Sequence, residues 1–214
     1  MKHELKRLFI DADTPPRERE KIIYLAVENG CNTLVFSLND KFFTSKFKHH
    51  KYIKLINTHA LRIEGGGSDF SLFLPRRLFS VNRELFRMDQ GVLKSDFHFC
   101  PTNPKTISIV MENALVLFNQ VLDKVTPPRI FHLLPEKGHE ETWCACPACR
   151  AFSPAEQYLI AVNTIADSLI KVDIDARISY IDFDTEPDAE GISPKKNVIV
   201  NTAAKTLPKD RQPF

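Results

Sequence analysis

Short apolar runs alternate with longer amphipathic segments along most of this chain. The apolar runs are rich in β-branched and aromatic residues, which favours β-strands. They cover residues 7–13, 32–38, 60–67, 97–104, 128–138, 177–184 and 197–203. The run 97–104 combines a short strand with a helix start, in which Asn103 is the cap and Pro104 the next residue. Between most of them, apolar residues recur at the spacing of an α-helix. This alternation predicts an α/β fold in which helices pack on a parallel sheet.

The segment after the fifth apolar run carries the clearest helix signal in the chain. Ser153 is expected to cap this helix, Pro154 occupies its first position, and Glu156 completes a capping box. One apolar stripe follows at helical spacing: Leu159, Val162, Ile165, Ala166, Leu169 and Ile170. The stretch 68–100 has no such periodicity and is too long for a routine connection.

Acidic residues recur in or just past the predicted strands. They are Asp11, Asp13, Glu64, Glu136, Asp182 and Asp184. In a parallel β/α barrel the carboxyl ends of all strands meet at one rim, where such side chains converge. We therefore predict one parallel, TIM-like β/α barrel over residues 1–214, with an open doubly wound sheet as the alternative. A complete eightfold barrel takes about 250 residues, so this barrel is expected to be incomplete or truncated.

Composition and charge narrow the classes of function. The chain has 214 residues and a formal net charge of +2, so it lacks the basic excess typical of nucleic-acid binding. No apolar run is long enough to span a membrane, and the amino terminus lacks the apolar core of a signal peptide. The sequence therefore predicts a cytoplasmic protein that binds neither nucleic acid nor membranes.

Three cysteines lie within six positions of the segment ETWCACPACRAFSPAEQ. Cys144, Cys146 and Cys149 form a C-x-C-x-x-C pattern, and three thiolates this close can hold one Zn²⁺ from a tight loop. The first candidate for the fourth ligand is Cys100, followed by His139 or His132. Three alternatives stay open: a structural zinc site, metal-free thiols that are packed or joined as a Cys146–Cys149 disulfide, and a redox-active thiol.

Four segments resemble, in this order, an uncharacterised bacterial family of predicted carbohydrate-active proteins: EGGGSDFSLFLPRRLF, ELFRMDQG, FCPTNP and WCACPACRAFSPAEQYLIAVNTIAD. The resemblance covers roughly residues 60–184, and the W-C-x-C-P-x-C block is its most specific part. That family has a TIM-barrel-like domain of unknown function, distantly similar to α-glucuronidases and β-hexosaminidases. The resemblance implies a barrel and a sugar-like ligand, and it implies no particular reaction.

Glycoside hydrolysis requires two carboxyl groups near the scissile bond. Acidic residues lie at or just past the ends of two predicted neighbouring strands. The two carboxyl groups of a glycosidase lie about 5–5.5 Å apart in retaining enzymes and about 6.5–9.5 Å apart in inverting ones. Glu136 follows the fifth predicted strand and Asp184 ends the sixth, so they are the candidate catalytic pair. Asp182, with the same strand parity as Asp184, and Glu64 are candidate substrate-binding residues. Each acid taken alone is also compatible with a salt bridge or a solvated loop.

Arginine and tryptophan side chains complete the candidate saccharide site. Arg62 and Arg76 flank the glycine run and are candidates for bidentate contacts with the carboxylate of a uronic acid. Trp143, the only tryptophan, is a candidate for stacking on a sugar ring; the alternative is that it covers the thiols. The glycine run matches no nucleotide-binding pattern, so its missing side chains are expected to let a ligand or another loop approach the backbone.

Together these residues predict a glycoside-hydrolase-like protein that acts on or binds a saccharide, with a uronic-acid-containing sugar as one option. The alternative is a non-catalytic carbohydrate-binding or structural barrel domain with a cysteine-rich loop. Zinc binding by that loop is one option within this alternative.

Overall fold

Six parallel strands lie side by side in the order in which they occur along the chain. The structure is a computed structural model that describes residues 6–44, 50–67, 70–96, 98–122, 128–135, 142–181 and 191–201. Its strands are β1 (Arg7–Ile10), β2 (Thr33–Ser37), β3 (Arg62–Gly67), β4 (Met88–Asp89), β5 (Val92–Leu93), β6 (Ile130–Leu133), β7 (Arg177–Ile181) and β8 (Val198–Asn201). The strands β4 and β5 form a separate antiparallel hairpin. The other six form one sheet in the order β1-β2-β3-β6-β7-β8, and every neighbouring pair is parallel.

Five α-helices accompany these strands in the described part of the chain. They are α1 (Pro16–Glu28), α2 (Lys41–Thr44), α3 (His50–Thr58), α4 (Pro104–Leu122) and α5 (Pro154–Val172). The predicted start of α5 is confirmed: the Ser153 hydroxyl accepts from the Glu156 N–H, and the Glu156 carboxylate accepts from the Ser153 N–H. Within the residues described, no helix combines the length and the apolar character that crossing a bilayer requires.

The two faces of the sheet differ in what covers them. On one face, apolar strand residues join residues of α1, α3, α4 and α5 in one core cluster. Its fully buried strand residues include Leu34, Phe36, Phe131 and Ile178. The opposite face carries Val35 and the polar side chains of Glu64 and His132, all of them buried. Helices on one face of a chain-ordered sheet are typical of singly wound β/α folds, whereas a doubly wound sheet reverses its strand order.

The predicted α/β class and the parallel sheet are thus confirmed, and the order of the strands does not match the doubly wound alternative. Closure into a barrel stays a prediction, because β1 and β8 are the two edges of the sheet within the described residues. The extent of the domain over residues 1–214 also stays a prediction.

The strand predicted over 97–104 is wrong. In the sheet β3 pairs directly with β6, and Phe99 makes an isolated antiparallel bridge to Phe86. The two prolines of this segment lack the N–H groups that a central strand needs. The helix start predicted in the same segment is confirmed: Asn103 caps α4, and its Oδ1 accepts from the Lys105 N–H at 2.9 Å. The apolar side chains here fill the core beneath an irregular segment.

The glycine run of β3 makes room for side chains of the neighbouring strands. A Cβ atom on Gly66 would lie 2.7 Å from the Cβ of His132 and 3.0 Å from its carbonyl oxygen. A Cβ atom on Gly65 would lie 2.9 Å from Cδ2 of Leu38 and 3.0 Å from Cδ1 of Phe131. Other groups therefore approach the glycine backbone closely, as predicted. These groups belong to β6 and to Leu38, whereas the expectation from the sequence is a ligand or another loop.

Gly66→Ala is expected to destabilise the fold by about 1–3 kcal/mol, because the added methyl group would force β3 and His132 apart. Chemical denaturation of both proteins gives the difference in the free energy of unfolding. Gly191→Ala is the matched control, since the nearest atom to its Cβ would be Oε1 of Glu156 at 3.4 Å. Equal stabilities of the two variants would contradict this account.

Candidate functional site

Four cysteines from two loops meet on the carboxyl side of the sheet. Cys100 lies in the connection from β3 to α4, whereas Cys144, Cys146 and Cys149 lie in the connection from β6 to α5. Their four Sγ atoms all lie within 4.8 Å of one another. The Sγ of Cys100 lies 3.8 Å from that of Cys146 and 3.7 Å from that of Cys149. The structure therefore brings the C-x-C-x-x-C pattern together with the first candidate for the fourth ligand.

Two of these sulfur–sulfur separations, those from Cys100 to Cys146 and to Cys149, match the edge of a tetrahedral thiolate site for one metal ion. Zn–S bonds of about 2.3 Å place the corners of a tetrahedron about 3.8 Å apart. A disulfide needs two sulfur atoms about 2 Å apart, and all five cysteines are free thiols in the structure. Four protein ligands leave no coordination position for water or substrate, which is typical of structural zinc sites.

Backbone and hydroxyl groups surround the sulfur atoms. The Met88 N–H donates to Sγ of Cys144 at 3.3 Å, and the Ala145 N–H donates to the Met88 carbonyl oxygen at 2.7 Å. These two bonds tie the β4–β5 hairpin to the cysteine loop. The Thr102 hydroxyl lies 3.1 Å from Sγ of Cys149. Neighbours of this kind orient metal ligands and stabilise thiolates.

A buried glutamine near the start of α5 fixes the shape of the cysteine loop. Oε1 of Gln157 accepts from the Cys144 N–H at 3.0 Å. Its Nε2 lies within 3.2 Å of the carbonyl oxygens of Cys144, Cys149 and Phe152. Gln157 is not predicted as a functional residue from the sequence, because a polar residue at the beginning of a helix is ordinary and carries no motif.

The close packing of the thiols sets their protonation. Hydrogen bonds from the thiols of Cys144 and Cys149 lower the pKa of Cys100 well below the usual value for a thiol. The hydrogen bond with Cys100 raises the pKa of Cys144 and also that of Cys149, because a thiol that donates keeps its proton. Hydrogen bonding within the cluster therefore favours the thiolate at Cys100, and a bound cation would favour deprotonation of its thiol neighbours by balancing the added charge.

The tryptophan beside the cysteines is buried. Trp143 is 5% exposed, and its indole stacks on the imidazole of His98 with ring centroids 4.2 Å apart. The rings of Phe70 and Tyr158 pack against it with centroids at 5.9 and 6.0 Å. The indole thus offers a sugar little exposed surface and packs in the main hydrophobic core, so stacking on a sugar and covering the thiols both stay predictions.

Three polar side chains form an ion cluster on the face of the sheet opposite the helices. Oε2 of Glu64 accepts from Nε of Arg7 at 2.6 Å, and Nε2 of His132 lies 2.7 Å from the same oxygen. Burial raises the pKa of Glu64, but the hydrogen bonds from His132 and Arg7 outweigh it and hold the pKa below its ordinary value. The cluster ties β1, β3 and β6 together. Glu64 thus lies within β3, and its role in substrate binding stays a prediction.

Glu64→Gln is expected to destabilise the protein by about 1–3 kcal/mol at neutral pH, because the buried charge partner of Arg7 is lost. The pKa of Glu64 is lowered in the folded protein. Its contribution is therefore complete above the ordinary value of 4.5 and is lost as the pH falls through the folded value. Denaturation curves over a range of pH should show the two proteins converging in acid. A constant difference, or an equal loss in the exposed control Glu112→Gln, would contradict this.

The two candidate arginines lie in different places. Arg62 is exposed and begins β3, so it lies at the amino edge of the sheet, and the structure does not bring it to the carboxyl edge. Arg76 begins a 3-10 turn in the connection that follows β3. Its guanidinium carbon lies 5.9 Å from the centroid of the Phe86 ring, within the range of a cation–π contact.

The three candidate acids Glu136, Asp182 and Asp184 lie outside the described residues. The strands that precede them are described. The strands β6 and β7 are parallel neighbours, with Leu133 paired to Tyr180. Glu136 is the third residue after β6 and Asp184 is the third after β7. The chain therefore leaves the same edge of the sheet on its way to both residues.

The chain has a glycoside-hydrolase-like α/β fold, as its similarity to solved structures shows. The pneumococcal exo-β-D-N-acetylglucosaminidase StrH, with tandem GH20 catalytic modules, matches 92% of this chain with 59% of its own, at 11% identity and a TM-score of 0.62. A β-galactosidase from Marinomonas ef1 matches 85% of this chain with 38% of its own, at 8% identity and a TM-score of 0.60. A β-N-acetylhexosaminidase matches 85% of this chain with 47% of its own, at 15% identity and a TM-score of 0.56.

Identities this low show a shared fold alone, and the chain spans about three fifths of StrH and less of the other two. No family model matches the sequence, and no curated protein matches it. Membership of the uncharacterised carbohydrate-active family therefore stays a prediction.

Proposed function

We propose that this chain acts on or binds a saccharide, as a domain of the glycoside-hydrolase type. One geometric observation carries the proposal: β6 and β7 are parallel neighbours, so the segments with Glu136 and Asp184 both leave the carboxyl edge of the sheet. In β/α barrels the active site lies at this edge. The fold similarity to solved glycosidases supports the same class.

In this proposal Glu136 and Asp184 supply the two carboxyl groups that glycoside hydrolysis needs. One protonates the leaving oxygen, and the other acts as base or as nucleophile. Asp182 contributes a contact with the substrate from the same segment as Asp184. Arg76 lies in the connection that follows β3 and is the candidate for binding a sugar carboxylate, because a guanidinium group binds a carboxylate through two parallel hydrogen bonds. A uronic-acid-containing saccharide is the substrate class that follows.

A panel of aryl glycosides and aryl glucuronides, incubated with the full chain, tests the proposal. Turnover of at least one substrate is expected, with preference for a glucuronide. Binding of a saccharide without turnover, measured by calorimetry, would support the non-catalytic alternative. Neither turnover nor binding across the panel would contradict both versions.

We further propose that Cys100, Cys144, Cys146 and Cys149 hold one structural zinc ion. The proposal is carried by the sulfur–sulfur separations of 3.7 and 3.8 Å, which match the edge of a zinc–thiolate tetrahedron of about 3.8 Å. Metal analysis of protein prepared in reducing buffer is expected to find about one zinc per chain. Absence of zinc after incubation with excess metal would contradict the proposal. Clustered reduced thiols are typical of a reducing compartment, so we keep the cytoplasm as the proposed location.

A further inference from the structure

Two aromatic residues next to the cysteines in the sequence stack on each other. Trp143 immediately precedes Cys144, and His98 lies two residues before Cys100, so each ligand-bearing loop contributes one ring. The rings stack with centroids 4.2 Å apart and planes 4° from parallel, and both residues are buried. A metal ion held by the cysteines would join the same two loops a few residues away from this stack.

Tyr158 connects the stack to the carboxyl ends of two strands. The centroid of its ring lies 6.0 Å from that of Trp143 and 5.1 Å from that of Tyr180 in β7. Its hydroxyl donates to the backbone carbonyl oxygen of Leu133, the last residue of β6. All of these residues are buried. Buried contacts therefore run without a break from the cysteine loops to the ends of β6 and β7.

We propose that zinc binding at the cysteine cluster fixes the carboxyl ends of β6 and β7, and that Tyr158 is the positioning residue of this connection. The inference rests on the proposed zinc site. It deepens the proposed function, because Glu136 and Asp184 follow these two strand ends in the sequence. Zinc takes no part in the chemistry here, and it acts by restricting local opening of the structure.

Linked equilibria give the physical reason. Without a metal ion, thiol hydrogen bonds, the ring contacts and the hydrogen bonds between Met88 and the Cys144–Ala145 segment hold the two cysteine loops together. Separation of these loops would unstack Trp143 from His98 and loosen the packing around Tyr158. A metal ion that binds the assembled cluster alone shifts this equilibrium toward the closed form. The buried rings pass that restriction to the strand ends, since packed side chains rearrange together.

Hydrogen exchange of the full chain tests the inference, with zinc-loaded and metal-free wild type compared in reducing buffer. Zinc removal is expected to accelerate exchange of the β6 and β7 amides about tenfold, with a much smaller effect in β1 and β2. Zinc-loaded Tyr158→Phe is expected to show a similar acceleration at β6 with its zinc content unchanged, because the bond to Leu133 is lost. Tyr24→Phe, at an exposed position of α1, is the matched control and is expected to behave as wild type.

Measured zinc content separates the two possible failures. If no zinc binds, the zinc site and the inference both fall. If zinc binds but β6 and β7 exchange at the same rates with and without it, the inference alone falls. If zinc removal unfolds the whole domain, every strand exchanges faster in the metal-free protein. The exchange rates of the zinc-loaded Tyr158→Phe variant are then the deciding measurement. Wild-type protection at β6 in that variant would overturn the inference, whereas faster exchange confined to β6 and β7 would support it.

Discussion

Cys149→Ser is expected to abolish stoichiometric zinc binding and to lower the melting temperature by about 8–16 °C. Cys149 is fully buried, and its Sγ lies 3.7 Å from that of Cys100. A serine hydroxyl keeps its proton and is a poor replacement for a soft thiolate ligand. Zinc at about a thousandfold excess over Kd stabilises the folded state by about 4 kcal/mol, and each kcal/mol corresponds to about 2–4 °C in a domain of this size.

Metal analysis and scanning calorimetry in reducing, zinc-containing buffer check both parts of this prediction. Trp143 gives a third measurement, because it is the only tryptophan and lies beside Cys144. Its fluorescence is expected to change when zinc is added to the metal-free wild type and to stay constant in Cys149→Ser. Cys31→Ser is the matched control, since Cys31 is a half-buried thiol outside the cluster. Retention of one zinc per chain by Cys149→Ser would contradict the four-thiolate site.

Local signals in the sequence predict a large part of this fold. The capping box of Ser153 and Glu156 places the start of α5 correctly, because the residues that satisfy its first N–H groups are within three positions of each other. The runs that become β1, β2 and β6 are short, largely apolar and bounded by polar or turn residues, as buried parallel strands require, whereas β3 combines one isoleucine with polar and glycine residues. Close spacing likewise marks Cys144, Cys146 and Cys149 as one cluster.

Features that depend on contacts between distant residues are harder to predict. Arg7 and Glu64 are 57 positions apart, and Glu64 and His132 are 68 apart, so no spacing signals their ion cluster. Cys100 is one of three candidates in the sequence, and the tertiary fold selects it. The segment 97–104 shows the opposite error, because apolar composition does not distinguish a strand from an irregular buried segment.

Glu136→Gln is expected to reduce saccharide turnover by about 10²–10⁴-fold, which is the usual contribution of a general acid or base. The amide keeps the size of the side chain and removes its titrating proton. The leaving group tells which role Glu136 has. If it is the general acid, the loss shrinks for an aryl glycoside whose leaving group needs no proton. If it is the base or nucleophile, the loss is similar for every leaving group, and Asp184→Asn takes the acid pattern instead.

Glu84→Gln is the matched control, because Glu84 is an exposed carboxylate paired with Lys105 at 3.8 Å. Steady-state kinetics of the three variants are expected to separate Glu84 from the two proposed catalytic residues. Full activity in both Glu136→Gln and Asp184→Asn would contradict a mechanism in which these two carboxylates, which follow β6 and β7 in the sequence, act as a pair. Loss in Glu136→Gln alone would move the second carboxyl group to another residue, and Asp182, two positions before Asp184 in the sequence, is the first to test.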